Sequence, residues 1–240
     1  RIARRSTFRV FSSSPQRARA FERVRTRSTT STVWSAIVMI GLSERSSPIA
    51  AFAGLAITIV LGILLAVLMA QAVWAERSVY PYLVALQATP VLAIVPIIYS
   101  VFGGGMSSRI YVCVMISIFP IVTNTLFGLT SVDAAQHDLF TLRKASRTTR
   151  LFKLQFPAAM PAIFTGFRIS AGLSVIGAIV GEQFFRQGQK PGIGIVMEQF
   201  RQKLRYPAMY GGLLVAAALG IAVFFAFSWL GRLVVGHWHE

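Results

Sequence analysis

Apolar residues along this chain fall into long unbroken runs, not into the alternation of a half-buried strand or the single stripe of a surface helix. Five runs are long enough to cross a bilayer: about 49–75 (span A), 80–103 (B), 109–130 (C), 160–183 (D) and 208–234 (E). A crossing helix needs roughly 20 residues at about 1.5 Å rise each. Apolar side chains occupy every face of each run, as expected of helices that meet lipid. A shorter run, 33–43, reads as an interfacial helix with Trp34 at headgroup level. Pro90, Pro96 and Pro120 interrupt runs B and C. Inside a bundle, neighbours satisfy the backbone groups that prolines free, and such kinks often line a pathway. Gly177 and Gly181 form a Gly-x-x-x-Gly pair in span D, which suits close helix contact. The expected fold is all-α: a polytopic membrane protein of about five transmembrane helices.

Composition supports this. The 240 residues are 55% hydrophobic and only 13% charged, whereas soluble domains carry about 25% charged residues. The net charge of +16 is concentrated beside the apolar runs, which points to an anionic membrane face. No nucleic-acid recognition module accompanies it, so nucleic acid is not an expected partner. Cys113 is the only cysteine, and His137, His237 and His239 lack metal-ligand spacing with carboxylates. No metal site is expected. No nucleophile–base set appears either, so the chain does not read as an enzyme and has no catalytic residue.

The chain divides into a basic tail (1–32), an interfacial segment (33–48), a membrane domain (49–235) and a short C-terminal tail (236–240). The first tail is rich in Arg and Ser, with Glu22 its only acid. It reads as disordered; a transit-peptide-like segment and a misassigned gene start are the other readings.

The longest polar connection is 131–159, between spans C and D. It carries Arg143, Lys144, Arg147, Arg150 and Lys153 against Asp133 and Asp138, so it belongs on the cytoplasmic side. The short A–B turn and the C-terminus then lie inside, and the B–C turn and the basic D–E connection lie outside. Asp133 and Gln136 have capping-box spacing, and Leu139, Leu142 and Ala145 continue as an apolar stripe. Two readings fit a basic amphipathic helix here: a knob that docks in a groove of a soluble partner, or a helix lying on anionic lipid.

The stretch "GLTSVDAAQHDLFTLRKASRTTRLFKLQFPAAMPAIFTGFRISAGLSVIGAIVGEQF" resembles the permease subunits of binding-protein-dependent ABC importers. The likeness is greatest to the branch for sulfonates, taurine, nitrate, thiamine-pyrimidine precursors and riboflavin. "ATPVLAIVPI" and "FPIVTNTLFGLTSVD" resemble that family's earlier spans, and the likeness covers roughly 50–235. The family carries a cytoplasmic Glu-Ala-Ala…Gly loop followed by Leu-Pro. Here it aligns as Asp138-Leu139-Phe140, then Lys144-Ala145-Ser146, then Phe156-Pro157. The family's glycine permits a left-handed turn between two short helices; Lys144 adopts positive φ less cheaply.

The resemblance implies a type I importer permease in the plasma (inner) membrane. Its expected partners are ABC ATPase subunits, a second permease copy or paralogue, an external solute-binding protein and the lipid bilayer. ATP and Mg would sit in the ATPase, and this chain has no GxxxxGK[ST] motif. The implied ATPase-coupling interface is Asp138, Leu139, Phe140, Leu142, Arg143, Lys144, Ala145, Ser146 and Arg147. The polar residues in the spans, Gln87, Thr89, Ser117, Asn124, Ser170 and Ser174, are candidates to line the pathway. For each Ser and Thr, a bond to helix backbone is the rival reading. Glu182, near the outer end of span D, is either a gate or binding-protein contact, or a solvated helix end. Arg168 snorkels to the cytoplasmic face or pairs within the bundle. The D–E segment either receives an acidic patch of the binding protein or is a solvated loop. Two other functions compete: an ATP-independent channel or secondary transporter, and a non-transporting membrane assembly protein.

Overall fold

The computed structural model describes residues 46–185 and 192–236. The expectations for the basic tail, the interfacial helix and residues 237–240 lie outside these.

Nine α-helices and one π-helical turn are described. They are α1 (Ser46–Gln71), α2 (Val73–Ala88), α3 (Val91–Phe102), α4 (Met106–Thr130), α5 (Ala134–Leu142) and α6 (Arg147–Arg150). After the π-helical turn Leu151–Gln155 come α7 (Phe156–Phe184), α8 (Ile193–Gln202) and α9 (Tyr206–Val235). By length and apolarity α1, α4, α7 (with the segment that leads into it) and α9 are each able to cross a membrane, and the bent pair of α2 and α3 is a fifth, broken candidate.

That broken crossing corrects the reading of span B as one helix over 80–103. The helix starts at Val73 and bends by 103° between α2 and α3. Pro90 causes the break: it has no N–H and forces the residue before it out of the α region. Thr89 accordingly has φ −75° and ψ 127°. Its hydroxyl and its N–H both donate to the Ala85 carbonyl, at 2.6 and 3.0 Å, so a carbonyl at the break stays satisfied. Pro96 and Pro120 lie inside continuous helices. Span A also ends earlier than expected, at Gln71, because Ala72 is extended.

Helices α4 and α7 form the centre. A Cβ at Gly177 would lie 2.9 Å from the Cα of Cys113, and one at Gly181 3.2 Å from the Cα of Arg109. A side chain would force a shift at Gly177 and meet a tight contact at Gly181, so the Gly-x-x-x-Gly pair brings the two backbones together. Helix α1 lies on the same core: Gly54 faces Cys113 and Gly62 faces Ile121, so α1 runs parallel to α4. Gly128 faces Ala159, so α7 runs antiparallel to α4. The Phe167–Phe227 and Phe164–Gly231 contacts lay α9 antiparallel to α7. The 131–159 connection and the segment around α8 therefore lie at opposite ends of the bundle.

Candidate functional site

At the end that carries the basic 131–159 connection, called the inner end for its charge, Asp133 caps α5 by accepting from the Ala135 N–H at 3.4 Å. No residue of α5 is buried. Leu139 and Leu142 are 52% and 82% exposed. Asp138, Arg143, Lys144, Ser146 and Arg147 are exposed too, while Phe140 and Ala145 are half-buried. The helix thus stands off the bundle as a knob.

The turn after it is built on Lys144, which has φ +53°. The Lys144 N–H donates to the Thr141 carbonyl at 2.9 Å and the Ala145 N–H to the Phe140 carbonyl at 3.0 Å. These two bonds make a Schellman motif with lysine where glycine is usual. Lysine therefore adopts the left-handed conformation that the family's glycine allows, at a steric cost of roughly 1–2 kcal/mol. Ser146 then caps α6 by accepting from the Thr149 N–H at 3.2 Å. Arg150 Nη2 donates to Thr141 Oγ1 at 3.1 Å across the turn, holding the two short helices together.

The knob joins the bundle through the π-helical turn. Its buried Gln155 accepts from Gln71 Nε2 at 2.9 Å. That bond ties the foot of α7 to the last residue of α1, next to the start of the broken crossing.

The residues expected along a pathway do not converge. Ser117, Ser170 and Ser174 are buried, and their hydroxyls donate to the carbonyls of Cys113 (2.6 Å), Ser117 (2.6 Å) and Ala171 (3.2 Å). Thr58 Oγ1 lies 3.0 Å from Ser117 Oγ, so the Ser117–Ser170 pair stitches α1, α4 and α7 together. Half-buried Asn124 donates to the Pro120 carbonyl at 2.8 Å, and Thr89 serves the break. Gln87 does border open space: it lines a cleft of about 200 Å³ with Val91, Met115 and Leu173. Half-buried Arg168 donates from Nη2 to Thr165 Oγ1 at 2.9 Å.

At the outer end the structure departs furthest from expectation. Glu182 is not a solvated helix end and offers no surface for direct contact with another protein; its exposure is 0%. Arg109, at the start of span C, is equally buried, and its Nη1 lies 4.0 Å from Glu182 Oε1. Arg109 Nε and Nη2 both donate to the Phe185 carbonyl, at 2.9 and 2.7 Å. Glu182 Oε2 accepts from the Gly194 N–H at 3.0 Å, in the first turn of α8, where the helix dipole favours an anion. Gly192 lies against the Glu182 carboxylate and Gly194 against the Ile179 carbonyl. The cluster binds α4, α7 and α8 into one unit. Arg109 was passed over in the sequence because it opens an apolar run; the available clue was that antiparallel spans C and D place Arg109 and Glu182 at the same depth.

The profile of the family described as "Binding-protein-dependent transport system inner membrane component" matches residues 58–238. This chain belongs to that family. The permease is 37% identical to the formylaminopyrimidine transport permease protein ThiX of Halalkalibacterium halodurans, over 76% of this chain and 72% of the relative. It is 31% identical to the riboflavin transport system permease protein RibX of Chloroflexus aurantiacus, over 68% and 59% respectively. A crystal structure of an amino acid ABC transporter with histidines superposes with a TM-score of 0.58 at 15% identity, covering 89% of this chain and 97% of that one; this likeness speaks to the fold. The permease is accordingly a multi-pass inner-membrane subunit of an ABC importer, and its family is one of transport proteins rather than enzymes.

Proposed function

We propose that this permease forms half of a pathway for a small solute, delivered by an external solute-binding protein and driven by an ATPase on the cytoplasmic face. The observation that carries the reading is the knob of α5, the Lys144 turn and α6, which projects apolar and basic side chains away from the bundle. Such an amphipathic knob fits a groove on a partner. The ATPase subunits hold the ATP and Mg, and a second copy or a paralogue supplies the other half of the pathway.

In this mechanism, closure of the ATPase dimer pulls on 138–150. The knob continues through the π-helical turn into α7, which is locked backbone to backbone on α4. Those two helices tilt together, and the crossing broken at Pro90 accommodates the change. Nucleotide then biases a two-state element through its differential contacts with the two states. Gln87, beside the break, is the pathway candidate that borders open space. The Arg109–Glu182 cluster serves as the outer anchor of the moving pair. Outside, the exposed Lys203 and Arg205 that follow α8 form a basic rim for an acidic patch of the binding protein. A secondary transporter would need ionisable groups on a wetted path, whereas the Arg109–Glu182 pair is sealed from solvent.

The test is reconstitution with the candidate ATPase in lipid nanodiscs. Intact permease should bind and regulate the ATPase, the 138–150 deletion should abolish binding, and Lys144→Gly should preserve it. An ATPase that never binds, or that binds the deletion variant equally well, would leave the knob as a lipid-surface helix and the protein as a non-transporting relative.

A further inference from the structure

At the inner end α7 and α9 part around a cleft of about 300 Å³. Phe164, Thr165 and Arg168 form one wall, and Ser228, Gly231 and Arg232 the other. The floor is tight: a Cβ at Gly231 would lie 3.3 Å from the Phe164 ring. Among the described residues Arg168 bonds to its own helix, through Thr165 Oγ1 and, at 3.4 Å, the Phe164 carbonyl. Among the described residues neither Arg168 nor Arg232 forms an ion pair. Ser228 Oγ is buried and has no hydrogen-bond partner there. Two cations and an unused hydroxyl thus line one cleft that, among the described residues, contains no anion.

Arg168 is half-buried inside a span, where an uncompensated cation is costly. A phosphate answers that arrangement, since guanidinium groups bind phosphate oxygens through paired charge-assisted bonds. The surroundings select the source of the phosphate. The cleft lies at the end that carries the basic 131–159 connection, hence at the cytoplasmic leaflet, which is rich in anionic lipid. Beside it α9 exposes Trp229, Leu230 and Leu233, an aromatic at headgroup level next to an acyl-compatible surface. Deeper between the same two helices runs an apolar groove of about 600 Å³, with Gly172 and Ile176 on one side and Ala217 and Ile221 on the other. Thr165, Arg168, Gly172 and Ile176 follow at helical spacing on α7, as do Ser228, Ile221 and Ala217 on α9. A cationic mouth at the leaflet boundary therefore leads toward a hydrocarbon groove.

We propose that this cleft is a binding site for an anionic phospholipid of the cytoplasmic leaflet, with Arg168, Arg232 and Ser228 holding the phosphate and the α7–α9 groove taking an acyl chain. The inference stands apart from the transport mechanism and requires only that the protein lie in the membrane.

The experiment is lipid binding to the full permease, delipidated in mild detergent and followed by native mass spectrometry. The probes are dioleoyl phosphatidylglycerol, dioleoyl phosphatidylcholine and inorganic phosphate. The glycerol lipid should bind about thirtyfold more tightly than the choline lipid, the scale of two surface cations acting on an anionic headgroup. Arg168→Gln/Arg232→Gln should erase that ratio, whereas Arg232→Lys should keep most of it. If the double variant does not fold, Arg232→Gln alone, at an exposed position, should lower the ratio about fivefold. Equal binding of the two lipids by the unmodified protein, or a ratio unchanged in the neutralised variants, overturns the proposal. Displacement of the glycerol lipid by inorganic phosphate would instead show a soluble-anion site and also overturn it. No ATPase is present, so either result leaves the transport reading to its own test.

Discussion

Arg109 and Arg168 both lie within apolar helices, and the protein treats them in opposite ways. At the outer end Arg109 is enclosed, bonded twice to a carbonyl and set beside Glu182, whose other oxygen holds the first turn of α8. At the inner end Arg168 leans on its own helix beside an open cleft, with Arg232 as the one other charged residue there among the described residues. The outer end spends its charges on internal rigidity, while the inner end leaves them for something that arrives from outside the chain. The same contrast runs through the connections. The segment around α8 is anchored through buried Glu182, Ile193 and Ile195, whereas α5 buries nothing. One end of the bundle is therefore firm and the other free.

The sharpest way to break this comparison is to remove one charge of the enclosed pair. Glu182→Leu leaves Arg109 buried without its carboxylate and should destabilise the protein by about 3–5 kcal/mol. Unfolding titrations in mild detergent read this, and Arg109→Leu/Glu182→Leu should recover part of the loss. Equal stability of the single variant and the parent would show that the pair contributes nothing. Next in size is Gly177→Val, whose side chain must force α4 and α7 apart at Cys113. It should cost about 1–3 kcal/mol by the same titration, while a substitution to Val at Gly172, where a Cβ meets open space, should cost far less. Arg168→Leu sharpens the contrast from the other side: a cation without an ion-pair partner should be replaced with a change within about 1 kcal/mol, against the large loss at Arg109.

Smaller effects belong to the free end. Lys144→Gly should stabilise the α5–α6 turn by on the order of 0.5 kcal/mol, the relief of left-handed strain less the entropy of glycine. Slower amide exchange at 140–150 would register it. Arg150→Gln, which loses one exposed bond to Thr141, should cost no more than about 0.5–1 kcal/mol.

What could be read without coordinates followed from local physics. The apolar runs over 109–130, 160–183 and 208–234 became α4, α7 and α9 because run length and all-round apolarity leave a helix in lipid no alternative. The helix start at Asp133 was legible from its cap. The Gly177–Gly181 pair marked a close contact, though not with which helix. The break at Pro90 was visible as a proline, but its 103° bend was not, because Pro96 and Pro120 are prolines of the same kind in unbroken helices. The Arg109–Glu182 cluster depends on two distant segments meeting, and neither segment announces the other. The span serines stayed open between two readings for a related reason: a hydroxyl in an apolar run reads the same whether it faces a pathway or, like Ser170, a neighbouring backbone.

The π-helical turn at Leu151–Gln155 has a further consequence. Each residue of an α-helix turns the chain by about 100°, and a π-turn accommodates one residue more than the α-helical register requires. That surplus residue sets the compass bearing of α5 and α6 around the axis of α7. Deleting one residue between 151 and 155 would let the helix continue in α register, leave every crossing helix intact, and swing the knob by about a quarter turn. The heading of the α5–α6 knob is thus written in the length of a five-residue stretch, and a single-codon change there would re-aim it without altering its chemistry.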